Sequence, residues 1–137
     1  MEAARPGVVR LMSFGFKYGQ PPANYYFDVS FAKNPARQAQ WGLFGIIDDA
    51  MRDFVLGQPP VSSFIELVVP LIAHVATVDS YQTVAIGCNA GRHRSPIIAG
   101  EVHQQLFDRG IFCKLEHRDL GDYADFMAQL HRRDFGE

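Results

Sequence analysis

The sequence predicts a single α/β domain, built on a layered and mostly parallel sheet with flanking helices. Short apolar runs rich in β-branched residues alternate along the chain with longer stretches of helical periodicity. The run from Gln82 to Gly87 is apolar almost throughout, which is typical of a parallel strand buried on both faces. The 137 residues are 47% hydrophobic and 20% charged, the length and composition of one globular domain.

The first half of the chain predicts two strands and one short helix. Residues 8–12 are apolar and β-branched, and residues 25–31 alternate well enough to be a second strand. Between them, residues 13–19 hold two glycines, a serine and a lysine, which favours a functional loop. Asn34-Pro35 is a turn signal. A short helix is predicted over 46–56, because a glycine and two prolines follow it closely.

The second half predicts two longer helices, two strands and a last helix. The longest helix has apolar side chains at steps of three and four residues, which form one stripe. Pro96 suits the first turn of the next helix, and Gly110 suits its end. The predicted elements are a helix over 61–78, a strand over 82–87, a helix over 96–109, a strand over 111–116 and a helix over 123–132. The domain is expected to cover residues 1–137, with 1–7 and 133–137 as loose ends.

Composition excludes several classes of protein. The formal net charge of −2 and a pI of about 6.2 argue against a uniformly basic nucleic-acid binder. The two cysteines, Cys88 and Cys113, do not make a disulfide framework. We expect no membrane segment, since no run of about 20 apolar residues is evident, and no leader is seen, so we expect a cytoplasmic protein. The histidines lack metal-ligand spacing, so neither a metal nor a cofactor is expected.

The strongest chemical signal is a loop that follows the buried strand and opens a helix. It reads Cys88-Asn89-Ala90-Gly91-Arg92-His93-Arg94-Ser95. Amides and the helix dipole favour an anion at such a place. Gly91 permits a concave turn, Arg94 offers a bidentate fork, and Ser95 can donate or cap. Lys17 follows another strand at the same edge of the sheet, so we expect it to reach the same anion.

The same loop also fits a different chemistry, that of cysteine-dependent phosphatases. A cysteine, five residues, an arginine and a serine match that pattern, in which the Cys88 thiolate would attack phosphorus and Arg94 would hold the oxyanion. The histidine that usually precedes the cysteine is Gly87 here. The acid for the leaving group would be one of Asp28, Asp119 and Asp122.

Taken together, several blocks resemble the C-terminal domain of the RapZ family of RNase adapter proteins. The blocks are Ser13-Phe14-Gly15-Phe16-Lys17-Tyr18-Gly19, Tyr26-Phe27-Asp28-Val29, the stretch from Ala85 to Ser95, and His117-Arg118. The resemblance implies a phosphofructokinase-like subdomain fold, binding of glucosamine 6-phosphate, and contact with small RNA and an RNase. No P-loop motif occurs, so nucleotide binding is not carried over. The implied ligand-binding residues are Ser13, Phe14, Gly15, Lys17, Asn89, Ala90, Gly91, Arg92, His93, Arg94, Ser95, His117 and Arg118.

On this interpretation the domain is regulatory, and binding of its ligand alters its contact with a partner. The partner could be RNA, an RNase or a second copy of the chain. An RNA-binding adapter without a ligand switch is the third hypothesis. The chain departs from the family at Ala36 and Arg37, where a histidine and an aromatic residue are usual, and at Asp119 and Asp122, which lie in a region that is basic in the RNA-binding member. RNA contact would then rely on scattered cations, namely Arg109, Lys114, Arg118, Arg132 and Arg133.

Overall fold

The computed structural model describes residues 7–42 and 45–120. Its strands and helices are β1 (Val8–Gly15), β2 (Tyr25–Asp28), α1 (Asp49–Leu56), α2 (Pro59–Val78), β3 (Tyr81–Cys88), α3 (Arg94–Asp108) and β4 (Cys113–His117). Single turns of 3-10 helix lie at Phe16–Tyr18 and Pro35–Arg37. The helix predicted over 123–132 lies outside the described residues, as do residues 1–6 and 133–137 of the predicted loose ends.

The four strands form one parallel sheet in the order β2-β3-β1-β4. β1 is central, and it pairs with β3 along its whole length, from Val8 opposite Tyr81 to Gly15 opposite Cys88. On its other side β1 pairs with β4, where Ser13 lies opposite His117. The prediction of an α/β fold on a parallel sheet is therefore confirmed, and the carboxyl ends of β1 and β3 are neighbours.

The core lies between the sheet and the helices that pack on it. β3 is buried at all positions after its first residue, as its continuous apolar run predicts. α3 packs on β1 and β4, while α2 packs on α3 and β3. The largest fully buried side chains include Phe14, Leu11, Ile72, Ile86 and Leu106.

α2 is long and apolar enough, by length and composition, to cross a membrane. This finding corrects the expectation that no such stretch exists. The helix is 20 residues long because it already begins at Pro59 and Pro60. Proline is tolerated in the first turn of a helix, since the backbone N–H that it lacks would have no partner within the helix there. Both of its faces are apolar: Val68 and Ile72 are buried, whereas Leu67 is 75% exposed. Its buried stripe packs on the sheet and on α3, as the core helix of a globular domain does.

Other boundaries differ from prediction for local reasons. β1 continues to Gly15, because residues predicted as loop pair with the end of β3. β2 ends at Asp28, whose carboxylate accepts a hydrogen bond from the Ser30 amide and turns the chain. α1 begins at Asp49, because the side chain of Asp48 caps it by accepting from the Met51 amide at 2.7 Å.

Candidate anion site at the ends of β1 and β3

The loop between β3 and α3 packs backbone to backbone against the end of β1. Gly91 has a φ of +73°, and a Cβ placed on it would lie 2.6 Å from the Gly15 nitrogen. A Cβ on Gly15 would lie 2.4 Å from the carbonyl carbon of Ala90. The Lys17 amide also donates to the Asn89 carbonyl at 3.1 Å. Glycine at both positions therefore allows the loop after β1 to lie directly beside the loop after β3.

A small cavity of about 70 Å³ lies between these two loops and the turn after β2. Its described lining residues are Lys17, Asn34, Ala36, Cys88, Asn89, Ala90, Arg92, His93 and Arg94. Lys17, Arg92 and Arg94 bring three cationic side chains, and none of the described lining residues is acidic. A cavity of this size has room for a small anion.

A wider cavity of about 580 Å³ adjoins the small one. It is lined by Ser30, Ala32, Lys33, Asn34, Arg37, Gln38, Asn89 and Arg94. Asn34, Asn89 and Arg94 line both cavities, so the two are neighbours across these side chains. The volume lies within the range of about 300–1,000 Å³ that is usual for small-molecule sites.

Arg94 is anchored by the turn that follows β2. Its side chain is nearly buried, and Nη1 donates to the carbonyls of Ser30 at 3.0 Å and Ala32 at 3.1 Å. No described residue hydrogen-bonds its Nε or Nη2. The guanidinium group is thus held in place through one nitrogen, and Nε and Nη2 keep their capacity to donate.

Cys88 and Ser95 form a hydrogen-bonded chain beneath the loop. The Cys88 thiol donates to Ser95 Oγ at 3.3 Å, and the Ser95 hydroxyl donates to the Phe14 carbonyl at 3.2 Å. Because that hydroxyl has one hydrogen and donates it to the carbonyl, its oxygen accepts the hydrogen bond from the thiol. Ser95 is fully buried, so its side chain supports the loop from behind.

The candidates for a phosphatase acid are used elsewhere or lie outside the described residues. Asp28 accepts from the Ser30 amide, and Asp119 accepts from the Gly15 amide at 2.6 Å. Asp122 lies outside the described residues. Since no described residue lining either cavity is acidic, the described part of the chain holds Cys88 and Arg94 together without an acid beside them.

His93 fixes the loop to the segment before α1. It is only 4% exposed, and its Nε2 lies 2.8 Å from the Gly45 carbonyl, to which it donates. Burial lowers the pKa of His93, and the neighbouring Arg92 and Arg94 add to this effect against the contrary influence of the Gly45 carbonyl. A neutral imidazole that donates from Nε2 leaves Nδ1 as an acceptor.

Arg118 and Asp119, directly after β4, hydrogen-bond to the end of β1 and to the loop that follows it. Arg118 Nη2 donates to the Gly19 carbonyl at 2.6 Å and to the Asp119 carboxylate at 2.8 Å. That carboxylate in turn accepts from the Gly15 amide. The Arg118 side chain and the Gly15 amide are therefore engaged in hydrogen bonds within the protein, and neither residue lines either of the two cavities.

His117 lies apart from the anion site. Its Nδ1 is 2.7 Å from Ser13 Oγ, and burial together with His103 lowers its pKa. It lines a separate cavity of about 380 Å³ with Arg52 and Gln104. Strands lie about 4.8 Å apart, so two strand spacings separate β4 from β3.

The structure thus divides the predicted site residues into two groups. Those that line the small cavity are Lys17, Asn89, Ala90, Arg92, His93 and Arg94. Those that support it from behind or lie elsewhere are Ser13, Phe14, Gly15, Gly91, Ser95, His117 and Arg118. Sequence reasoning missed Lys33, Asn34, Ala36, Arg37 and Gln38 as lining residues. The turn signal at Asn34-Pro35, flanked by two cations, is the feature that could have pointed to them.

The chain is an α/β domain with a parallel sheet and a cationic loop at the carboxyl ends of β1 and β3. The family model described as RapZ C-terminal domain matches residues 7–121. The chain belongs to this family, as its sequence blocks predict.

Curated relatives share the domain within longer chains. A "nucleotide-binding protein" of Clostridium beijerinckii is 35% identical over 120 residues, which cover 83% of this chain and 41% of that protein. Similar proteins of Nocardioides sp. and Corynebacterium jeikeium are 36% and 38% identical, over 85% and 82% of this chain and 42% and 40% of theirs. The chain therefore spans about two fifths of the length of these relatives.

Proposed function

We propose that this domain binds a phosphorylated small molecule of the sugar-phosphate class, with the phosphate in the small cavity. The observation that carries the proposal is a cavity of about 70 Å³ with three cationic side chains and no acidic residue in its described lining. The cavity lies against the amides before the first turn of α3, where the helix dipole favours negative charge. The implied ligand of the RapZ family, an amino-sugar phosphate, is of this class.

The contacts to phosphate would be charge-assisted hydrogen bonds. Arg94 offers Nε and Nη2, Lys17 offers its ammonium group from the neighbouring loop, and the loop amides add their own donors. Each hydrogen bond to a charged group is worth about 1.5–3 kcal/mol. Loss of one such contact therefore weakens binding by about tenfold to a hundredfold.

The output of binding would be a changed contact with a partner. A ligand between Lys17 and residues 88–95 would fix the two loops against each other. The loop after β1 is in turn held by Arg118 and Asp119, through the Gly19 carbonyl and the Gly15 amide. Ligand state would thus reach the segment after β4, and a partner in contact with that segment would respond to it. The free thiols of Cys88 and Cys113 support a reducing compartment such as the cytoplasm.

Calorimetry with inorganic phosphate and glucose 6-phosphate tests this proposal. Lys17→Gln is preferred to Arg94→Ala, because Arg94 also anchors the turn after β2 and its loss would disturb folding. We expect Lys17→Gln to bind glucose 6-phosphate at least tenfold more weakly. Lys114→Gln, an exposed lysine on β4, is the matched control and should bind like the wild type.

Two outcomes would contradict the proposal. Equal affinity of Lys17→Gln and the wild type, or no binding by the wild type at millimolar ligand, would show that the small cavity is not a phosphate site. The same samples are assayed with an aryl phosphate, and no turnover is expected because none of the described residues that line the small cavity with Cys88 is acidic. Turnover that disappears in Cys88→Ser would instead establish a phosphatase.

A further inference from the structure

The wider cavity carries its own charge, separate from that of the phosphate loop. Lys33 and Arg37 line it, both side chains are exposed, and no described residue pairs with either of them. No acidic residue is found in its described lining. Two cations with no compensating carboxylate give this cavity a positive potential at its wall.

Several acceptors in the same cavity already take part in hydrogen bonds within the protein. The carbonyls of Ser30 and Ala32 already accept from Arg94. The Asn34 carbonyl accepts from the Arg37 amide, and Asn34 Oδ1 accepts from the Ala36 amide. An ammonium group placed here would meet the like charges of Lys33 and Arg37, and no acidic residue in the described lining offsets them.

We propose that the ligand carries a second anionic group, which lies in the wider cavity against Lys33 and Arg37. The domain would then prefer a sugar that is phosphorylated at both ends, or an acidic phosphosugar, to an amino-sugar phosphate. Asn34, Asn89 and Arg94 line both cavities, so one molecule can place an anionic group in each. This inference rests on the proposed function, because the first phosphate must occupy the loop.

Three ligands built on the same sugar ring test the inference: glucose 6-phosphate, glucosamine 6-phosphate and glucose 1,6-bisphosphate. Calorimetry at a fixed ionic strength of about 0.15 M limits the attraction of distant charges. We expect the bisphosphate to bind about tenfold or more tightly than glucose 6-phosphate, which one further charge-assisted contact provides. Glucosamine 6-phosphate should bind more weakly than glucose 6-phosphate.

Arg37→Gln identifies the residue responsible. In this variant the bisphosphate should lose most of its advantage over glucose 6-phosphate, with a ratio of affinities below about threefold. Arg37 is exposed, so the variant should fold, and circular dichroism checks that it does. Arg109→Gln removes an equal charge just after α3 and should keep the full ratio.

The two proposals fail in different ways. If glucosamine 6-phosphate binds as tightly as the bisphosphate or more tightly, this inference is overturned and the proposed function stands. A bisphosphate preference that persists unchanged in Arg37→Gln also overturns the assignment to the wider cavity. If none of the three ligands binds, both proposals are overturned.

Discussion

Gly91 and Gly110 form a natural pair for testing whether contact between the two loops holds the anion site together. Both have positive φ, +73° and +78°, so alanine is strained equally at each. Around Gly110 a Cβ would meet nothing within 4 Å, whereas at Gly91 it would lie 2.6 Å from the Gly15 nitrogen and 2.8 Å from the Phe14 carbonyl carbon. The difference between Gly91→Ala and Gly110→Ala therefore measures the close approach of the loops.

The expected sizes follow from these distances. Left-handed backbone costs alanine about 1–2 kcal/mol, partly offset by a less flexible unfolded chain, so Gly110→Ala should lose about 1 kcal/mol. Overpacking adds about 1–3 kcal/mol or more, so Gly91→Ala should lose about 2–5 kcal/mol. At about 4 °C per kcal/mol, thermal denaturation should show Tm falling by about 4 °C in Gly110→Ala and about 8–20 °C in Gly91→Ala. Equal losses in the two variants would refute the loop contact.

Two further predictions concern pH and RNA. Burial lowers the pKa of both His93 and His117 below the ordinary 6.5. On acidification the unfolded chain therefore binds protons at these histidines more readily than the folded chain does. Little stability is lost while the pH stays above about 6.5, and stability falls as the pH drops below it, so Tm should drop between about pH 6.5 and 5.5, less steeply in His117→Gln; a flat profile would contradict this. RNA should bind no more tightly than about 10⁻⁶ M at physiological salt, because Arg118 is paired with Asp119 and the net charge is −2. Titration at two salt concentrations checks this, and nanomolar binding with a steep loss in salt would show that the cationic surface is underestimated.

Local patterns predict the elements well where one physical signal dominates. The apolar run at 82–87 predicts β3, which needs apolar side chains on both faces, and the structure extends it by one residue at each end. The stripe over 61–78 predicts α2, which starts two residues earlier at Pro59. Strand order cannot be predicted in this way, because no local pattern indicates that Val8 pairs with Tyr81 or that β4 pairs with the other side of β1.

Local patterns likewise predict only part of the candidate site. A strand followed by a glycine-containing loop and a helix predicts where residues 88–95 lie, since these features are local. Lys33 and Arg37 reach the site because long-range hydrogen bonds hold the turn after β2, among them those from Arg94 to two carbonyls and that from the Lys33 amide to Gln58. β4 ends at His117 and β3 ends at Cys88, both at the same edge of the sheet. β1 lies between these two strands, and His117 lines another cavity.

The central place of β1 has a consequence for how the domain is made. β1 leaves the ribosome first, but both strands that pair with it, β3 and β4, come from the second half of the chain. Until they arrive, its backbone is an unpaired edge, and such edges invite aggregation. Pairing over such long sequence separations is slow, because the intervening chain must be ordered first. Lys17 therefore meets the loop of residues 88–95 only after β3 has docked, so a ligand at the proposed site would stabilise the assembled sheet and none of its precursors.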